Sequence, residues 1–128
     1  MRNKRYGLLV SLLLVGVALT SVGAQEKSPL FQQGEKVYGA NCASCHRGNG
    51  QGLPNVFPSL VQNEFVTGDP QPVVQLILEG RRGSMGRMPG WQTRLQDEQI
   101  AAVVSFIRQH WGNQAEAVTP EMVAAPRR

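Results

Sequence analysis

An all-α domain with long loops is the fold class that this sequence predicts, and three observations predict it. Apolar residues recur at three- and four-residue intervals in three stretches, near residues 29–41, 70–79 and 95–111, which is the spacing of a helix with one buried face. No run alternates apolar and polar residues over a useful strand length. Between the periodic stretches the chain turns to glycine and proline, the residues that punctuate regular structure.

Taken in order, the first segment stands apart from the fold. Arg2, Lys4 and Arg5 precede an apolar run from Tyr6 to Val22 that ends in Val22-Gly23-Ala24, the charged, apolar and small-residue regions of an export signal, with the cut after Ala24. An uncleaved anchor is the rival reading, since the run approaches the ~18–20 residues that span a bilayer, although Gly7, Ser11, Gly16, Thr20 and Ser21 dilute it. Removing Arg2, Lys4 and Arg5, with no acidic residue, takes the formal charge from +4 to +1. The basic balance is thus largely a property of the signal, and it gives no support to nucleic-acid binding. The expected division is a signal peptide over 1–24, one domain over 25–112, and an extension over 113–128 that packs on the domain or trails from it.

The first helix is predicted over Pro29 to about Asn41, opened by the N-cap pair Ser28-Pro29 and carrying Leu30, Phe31, Gly34, Val37 and Tyr38 on its apolar face. Gly34 inside it costs about 1 kcal/mol relative to alanine, which points to close approach by another helix. Arg47 to Asn63 reads as an irregular loop, with Gly48, Gly50, Gly52, Pro54 and Pro58. Asp69-Pro70 opens a second helix with Val73, Val74, Ile77 and Leu78 as its stripe, and Gly80 stops it. Arg81 to Gly90 reads as loop again and holds Met85 and Met88. Leu95 to Trp111 is the strongest helix, with Asp97 and Glu98 in its first turn, Ile100, Val103, Val104, Phe106 and Ile107 on its face, and Gly112 after it. Thr119-Pro120-Glu121 can start one short turn ending near Ala124.

The first helix runs straight into Cys42-Ala43-Ser44-Cys45-His46, and these are the only two cysteines. Two thiols on one helical turn can add to the two vinyl groups of a haem while the adjacent imidazole ligates its iron, so Cys-x-x-Cys-His reads as covalent haem attachment. Zinc would need a fourth ligand, and the only other histidine, His110, lies far along the chain. A thioredoxin-like pair would need a βαβ setting, and a Cys42–Cys45 disulfide is awkward on a helical turn and leaves His46 without a purpose. After cleavage about 104 residues remain, poor in aromatics, and a haem would supply missing apolar mass. The loop around Leu53, Val56, Phe57 and Leu60 could then lie against one face of that flat group.

With these features in the same order, the mature chain resembles the class I c-type cytochromes over almost its whole length. The resemblance implies a cytochrome c fold: three main helices with long loops wrapped around one covalently attached haem c. In that family a glycine and an aromatic four positions apart precede the motif, as Gly34 and Tyr38 do, and meet the last helix at about a right angle through positions matched by Val103 and Phe106. The same likeness implies that Pro58 offers its carbonyl to the ligand histidine, that Leu60 lines the haem pocket, and that Trp91 packs near the haem. It makes His46 and Met88 the axial ligands of the iron, with Met88-Pro89 resembling a Met-Pro pair of bacterial members and Met85 as the competitor. Two departures stand out: Gln96 where members often cap the last helix with serine, and a tail longer than in minimal members.

The function implied is that of an exported, periplasmic carrier of single electrons, not an enzyme, working between redox partner proteins such as a dehydrogenase, oxidase or reductase. Two other readings stay open: a cytochrome subunit of a membrane-associated dehydrogenase or oxidase complex, and a haem enzyme or ligand sensor with an open iron site. The last would leave both methionines off the iron and need an acid-base residue above it. His110 is the one spare imidazole, and it is expected to be exposed. Arg47, Arg81, Arg82 and Arg87 lie in or beside the loops, either as solvated surface or as partners for an acidic surface or the haem propionates.

Overall fold

The computed structural model describes residues 27–83 and 86–127. The elements are α1 (Pro29–Asn41), α2 (Ala43–His46), α3 (Glu64–Thr67), α4 (Pro70–Glu79), β1 (Gly80–Arg82), β2 (Arg87–Pro89), α5 (Asp97–Gln109) and α6 (Pro120–Ala124). The structure is mostly helical, with one small two-stranded sheet.

Ser28 starts α1 by accepting the Phe31 amide at 3.2 Å, and Pro29 occupies the first turn, where no amide is needed. The buried face is Gly34, Val37 and Tyr38, and it packs on α5. At Gly34 the two helices touch closely: a β-carbon there would lie 2.6 Å from Phe106 Cβ and closer still to the Ala102 carbonyl oxygen. The nearest atoms thus come from Ala102 and Phe106; Val103, the position suggested by resemblance, is buried one residue further on. The Tyr38 and Phe106 rings lie 5.4 Å apart.

The short α3 is not foreseen by periodicity, because a single four-residue turn shows none. It is set by Asn63, whose side chain accepts the Phe65 amide at 2.9 Å and whose amide group donates to the Ser59 carbonyl. Asp69 caps α4 through the Gln71 amide at 3.0 Å, and Val73, Val74, Ile77 and Leu78 form its buried stripe.

Arg81 to Gly90 is not irregular throughout, as the sequence suggests, but folds back as an antiparallel ribbon. Gly80 pairs with Pro89, Arg81 with Met88, and Arg82 with Arg87. Three-residue strands are too short for alternation to be read, and the ribbon sits directly on the end of α4. Met85, the competing ligand candidate, lies outside the described residues.

The last long helix is shorter at both ends than the predicted Leu95 to Trp111. At its start the Gln96 amide donates to the Gln99 side chain at 3.0 Å, so glutamine takes the capping position. At its end Trp111 (φ 52°) and Gly112 (φ 86°) reverse the chain. The tail then retraces α5 backwards. Ala115 N donates to Arg108 O at 3.0 Å, Val118 N donates to Ser105 Oγ at 2.8 Å and its carbonyl accepts from the same hydroxyl. Arg127 finally reaches Asp97 at the helix start. The buried side chains of Val118 and Val123 join the core made by α1, α4 and α5.

Arg108 is 3% exposed, yet its guanidinium is satisfied by carbonyls. It donates to Val66 O at 2.6 Å, Gly68 O at 2.9 Å and Glu116 O at 3.0 Å, which ties α3 and the tail to α5. Burial pulls its pKa below the usual value, with Asp69 and Glu116 opposing.

Candidate functional site

A cleft of about 530 Å³ opens where α1, α2, the loop after His46 and the ribbon meet, a size typical of the ~300–1,000 Å³ cofactor clefts of proteins. Cys42, Cys45 and His46 line it from the α1–α2 turn, Val56, Phe57 and Pro58 from the loop, and Leu76, Met88 and Trp91 from α4 and the segment after it. Arg81, Arg82 and Arg87 stand on the ribbon, exposed and also lining the cleft.

The turn that carries the motif is built by backbone geometry. Cys42 N donates to Tyr38 O at 2.8 Å, which ends α1, and His46 N donates to Cys42 O at 2.9 Å, which closes α2. This places both thiols, neither of them in a disulfide, and the imidazole at one side of one cleft. Burial, then the neighbouring Cys45, pushes the Cys42 thiol up to about 11. The thiol is thus held protonated near neutrality, unlike the low-pKa thiolates of redox-active pairs. Among the described residues no three His, Cys, Asp or Glu side chains are grouped to hold a bare metal ion.

His46 is oriented from behind: its Nδ1 lies 3.1 Å from the carbonyl oxygen of Pro58. A carbonyl can only accept, so Nδ1 carries the proton and Nε2 keeps its lone pair. Burial lowers the pKa of His46, with the Pro58 bond opposing in part. The ring therefore stays neutral, the form that ligates a metal. The loop between these residues is compact because Gly52 N bonds His46 O at 3.0 Å, while a side chain at Gly52 would strike the Phe57 and Pro58 carbonyls and carry φ of +62°.

The same loop is held from the helix interface by two side chains that the sequence reading gave no role in the loop. Tyr38 Oη donates to Arg47 O at 2.6 Å, and Trp111 Nε1 donates to Gly48 O at 3.2 Å. Both rings pack on Phe106, at 5.4 Å and 5.5 Å. The placement of Tyr38 four positions after Gly34 was legible; the polar tips of Tyr38 and Trp111 that reach the loop were not.

Several expected residues fall elsewhere. Leu60 does not line the cleft; it is half-buried against the core and its carbonyl accepts from Asn113 at 2.9 Å. Leu53, expected against the cofactor, is 38% exposed and outside the cleft. Nor is His110 exposed: it is half-buried, stacked on Phe106 at 4.7 Å and edge-on to Phe31 at 5.5 Å. Held in that aromatic cluster, it is not among the cleft residues. Trp91 lines the cleft, with its amide shared between Ile77 O and Leu78 O at 2.9 and 3.1 Å and the Arg94 guanidinium 5.4 Å above its ring.

These residues fit a haem: a pair of thiols on one turn, a neutral imidazole whose Nδ1 is held by a carbonyl and whose Nε2 is left free, a thioether on a separate element, and apolar walls between. The family model described as "Cytochrome C oxidase, cbb3-type, subunit III" matches residues 29–107. Cytochrome c-552 of Thermus thermophilus is 30% identical to the chain, with 94% of both proteins covered. The cytochrome c subunit of alcohol dehydrogenase (quinone) from Gluconobacter oxydans is 38% identical over 64% of this chain and 19% of its own length. The gluconate 2-dehydrogenase cytochrome c subunit of Pantoea cypripedii is 37% identical over 76% of this chain and 24% of its own length. The chain thus spans about a fifth to a quarter of the two dehydrogenase subunits that it matches. A family model that covers most of the folded domain, and a relative matched nearly end to end, make the chain a member of the c-type cytochromes, whose cofactor is one covalently bound haem c.

Proposed function

We propose that this chain is an exported monohaem carrier of single electrons, with Cys42 and Cys45 as the thioether positions and His46 and Met88 as the axial ligands. The observation that carries this reading is the fixed tautomer of His46, whose Nδ1 is occupied by Pro58 at 3.1 Å in a cleft that also holds both thiols and Met88. When bound, the haem supplies a one-electron iron couple. The chain's residues keep that group in place and limit water access. Cys42 and Cys45 anchor it, Val56, Phe57, Leu76 and Trp91 give it apolar walls, and His46 cannot rotate without losing its carbonyl partner. Met88 supplies a soft neutral thioether, which raises the potential relative to a second imidazole. Arg81, Arg82 and Arg87 place positive charge at the cleft mouth. The wrapping of three longer helices, α1, α4 and α5, around the haem belongs to the same proposal.

Export rests on residues 1–24, which lie outside the described residues; among the described ones no helix is long and apolar enough to cross a membrane. The periplasm is the compartment that this signal implies. Relatives that are cytochrome c subunits of dehydrogenases favour a second reading, a subunit of a larger oxidoreductase complex. Size-exclusion of the natively purified protein separates the two readings, since a free carrier elutes near its own small mass.

Met88→Ala is the test of the ligand set. It lowers the reduction potential and opens the sixth position to carbon monoxide in the reduced protein, whereas Met85→Ala does neither. The reverse result moves the ligand to Met85, and carbon monoxide binding by the unaltered reduced protein would favour an open-site enzyme or sensor.

A further inference from the structure

The structure points to a positioning role for Arg127, and we propose that it clamps the segment that presents Met88 to the cleft. The inference rests on the reading of Met88 as an axial ligand. Met88 lies in β2, whose only strand partner among the described residues is the three-residue β1, and a ribbon so short is marginal by itself. Where Met88 sits thus depends on how the chain that leaves β2 is fastened. On its inner side, Trp91 N and Gln92 N bond to Ile77 O and Leu78 O at the end of α4. Its outer side is gripped by one side chain. Arg127 Nη1 donates to Gln92 O, Nη2 donates to Leu95 O at 3.0 Å, and Nε pairs with Asp97 Oδ1 at 2.5 Å.

Two hydrogen bonds from one planar fork therefore hold Gln92 and Leu95 of the short stretch between β2 and α5, and an ion pair holds Asp97 at the start of α5, the kind of multidentate grip that arginine alone supplies. The pair is about three-quarters buried, with side-chain exposures of 25% and 28%, so water competes poorly. The clamp is itself anchored: Val118 and Val123 behind it are 1% and 0% exposed, and Val118 is locked to Ser105 by two hydrogen bonds. Tension on the Met88 segment is thereby carried through Arg127 and the tail into the face of α5. With the clamp cut, the stretch keeps its α4 carbonyls and the packing of Trp91 and Leu95 on the core but loses its outer fastening, and the Met88 thioether leaves its place more often.

The test uses the ferric holoprotein and imidazole as the probe, which enters the sixth position only after the methionine has left. Arg127→Ala is expected to speed imidazole association by roughly tenfold, the equivalent of about one charge-assisted hydrogen bond, while the far-red band of methionine ligation persists without imidazole. Arg127→Lys and Asp97→Asn, which keep the fold's packing, should fall between it and the unaltered protein. Ile107→Val, a core truncation away from the clamp, should leave the association rate unchanged. An unchanged rate in all three clamp variants overturns the proposal, and so does an equal rise in Ile107→Val, which would mark general loosening. Failure of the ligand reading looks different: Met88→Ala would then keep the far-red band and bind imidazole no faster than the unaltered protein, which removes the premise and the clamp's role with it.

Discussion

Two glycines in α1 should respond to the same substitution with opposite sign. A β-carbon at Gly34 would sit 2.6 Å from Phe106 Cβ and nearer still to the Ala102 carbonyl oxygen, whereas one at Gly39 would meet nothing within 4 Å. At both sites alanine gains about 0.5–1 kcal/mol of helix propensity. At Gly34 it also overpacks the interface, a cost of about 1–3 kcal/mol, and the upper end applies because the obstructing carbonyl belongs to the rigid backbone of α5. Gly34→Ala should thus lose about 2 kcal/mol, and Gly39→Ala should gain about 0.5–1 kcal/mol. For a domain of this size those values correspond to a fall of roughly 8–16 °C and a rise of roughly 2–8 °C in melting temperature. Far-UV circular dichroism of the two holoproteins during heating measures both. A Gly34→Ala protein that melts no lower than the unaltered one would refute the close crossing of α1 and α5.

Other outcomes follow from buried polar groups. Arg108→Met strands the Val66, Gly68 and Glu116 carbonyls that its guanidinium satisfies, at a cost of about 1–3 kcal/mol for a buried acceptor left without its donor; urea denaturation reads it, and a loss under about 1 kcal/mol would show that the tie is dispensable. His110, packed on Phe106 and Phe31, is held below its usual 6.5 by burial first and by Lys27 second, with Glu35 opposing. The unfolded chain thus takes up this proton more readily than the folded one, so the stabilisation is full above pH 6.5 and is lost as pH falls from there toward the lowered value. The melting temperature should drop between pH 7.5 and 5, and less so in His110→Phe, which keeps the ring stack; identical slopes in the two proteins would contradict this.

The parts of the fold that were legible in the sequence are those with local signals. Ser28-Pro29 and Asp69-Pro70 are caps whose chemistry acts within three residues, and α1 and α4 begin where those caps place them. The motif at Cys42, Cys45 and His46 was legible because its spacing is itself the geometry of one turn. What the sequence hid was non-local. The ribbon pairs Arg81 with Met88 through strands too short for a period, and the tail's course along α5 depends on Ser105 and Arg108, which read as ordinary helix residues. Leu60 lines the core instead of the cleft because Asn113, fifty-three positions on, holds its carbonyl. His110 is covered because Phe31 comes from the other end of the domain to meet it.

Tyr38 and Trp111 reach from the helix crossing to the two carbonyls that follow His46 in the chain. The scaffold and the turn that carries His46 are consequently one mechanical body, with the phenol and the indole as its rivets. An engineer can therefore retune the imidazole remotely, by trimming either rivet, and leave every wall of the cleft as it was. Conversely, repacking the α1–α5 junction for heat resistance carries a hidden side effect, since any shift of those rings is delivered straight to the turn that carries His46, the proposed axial ligand.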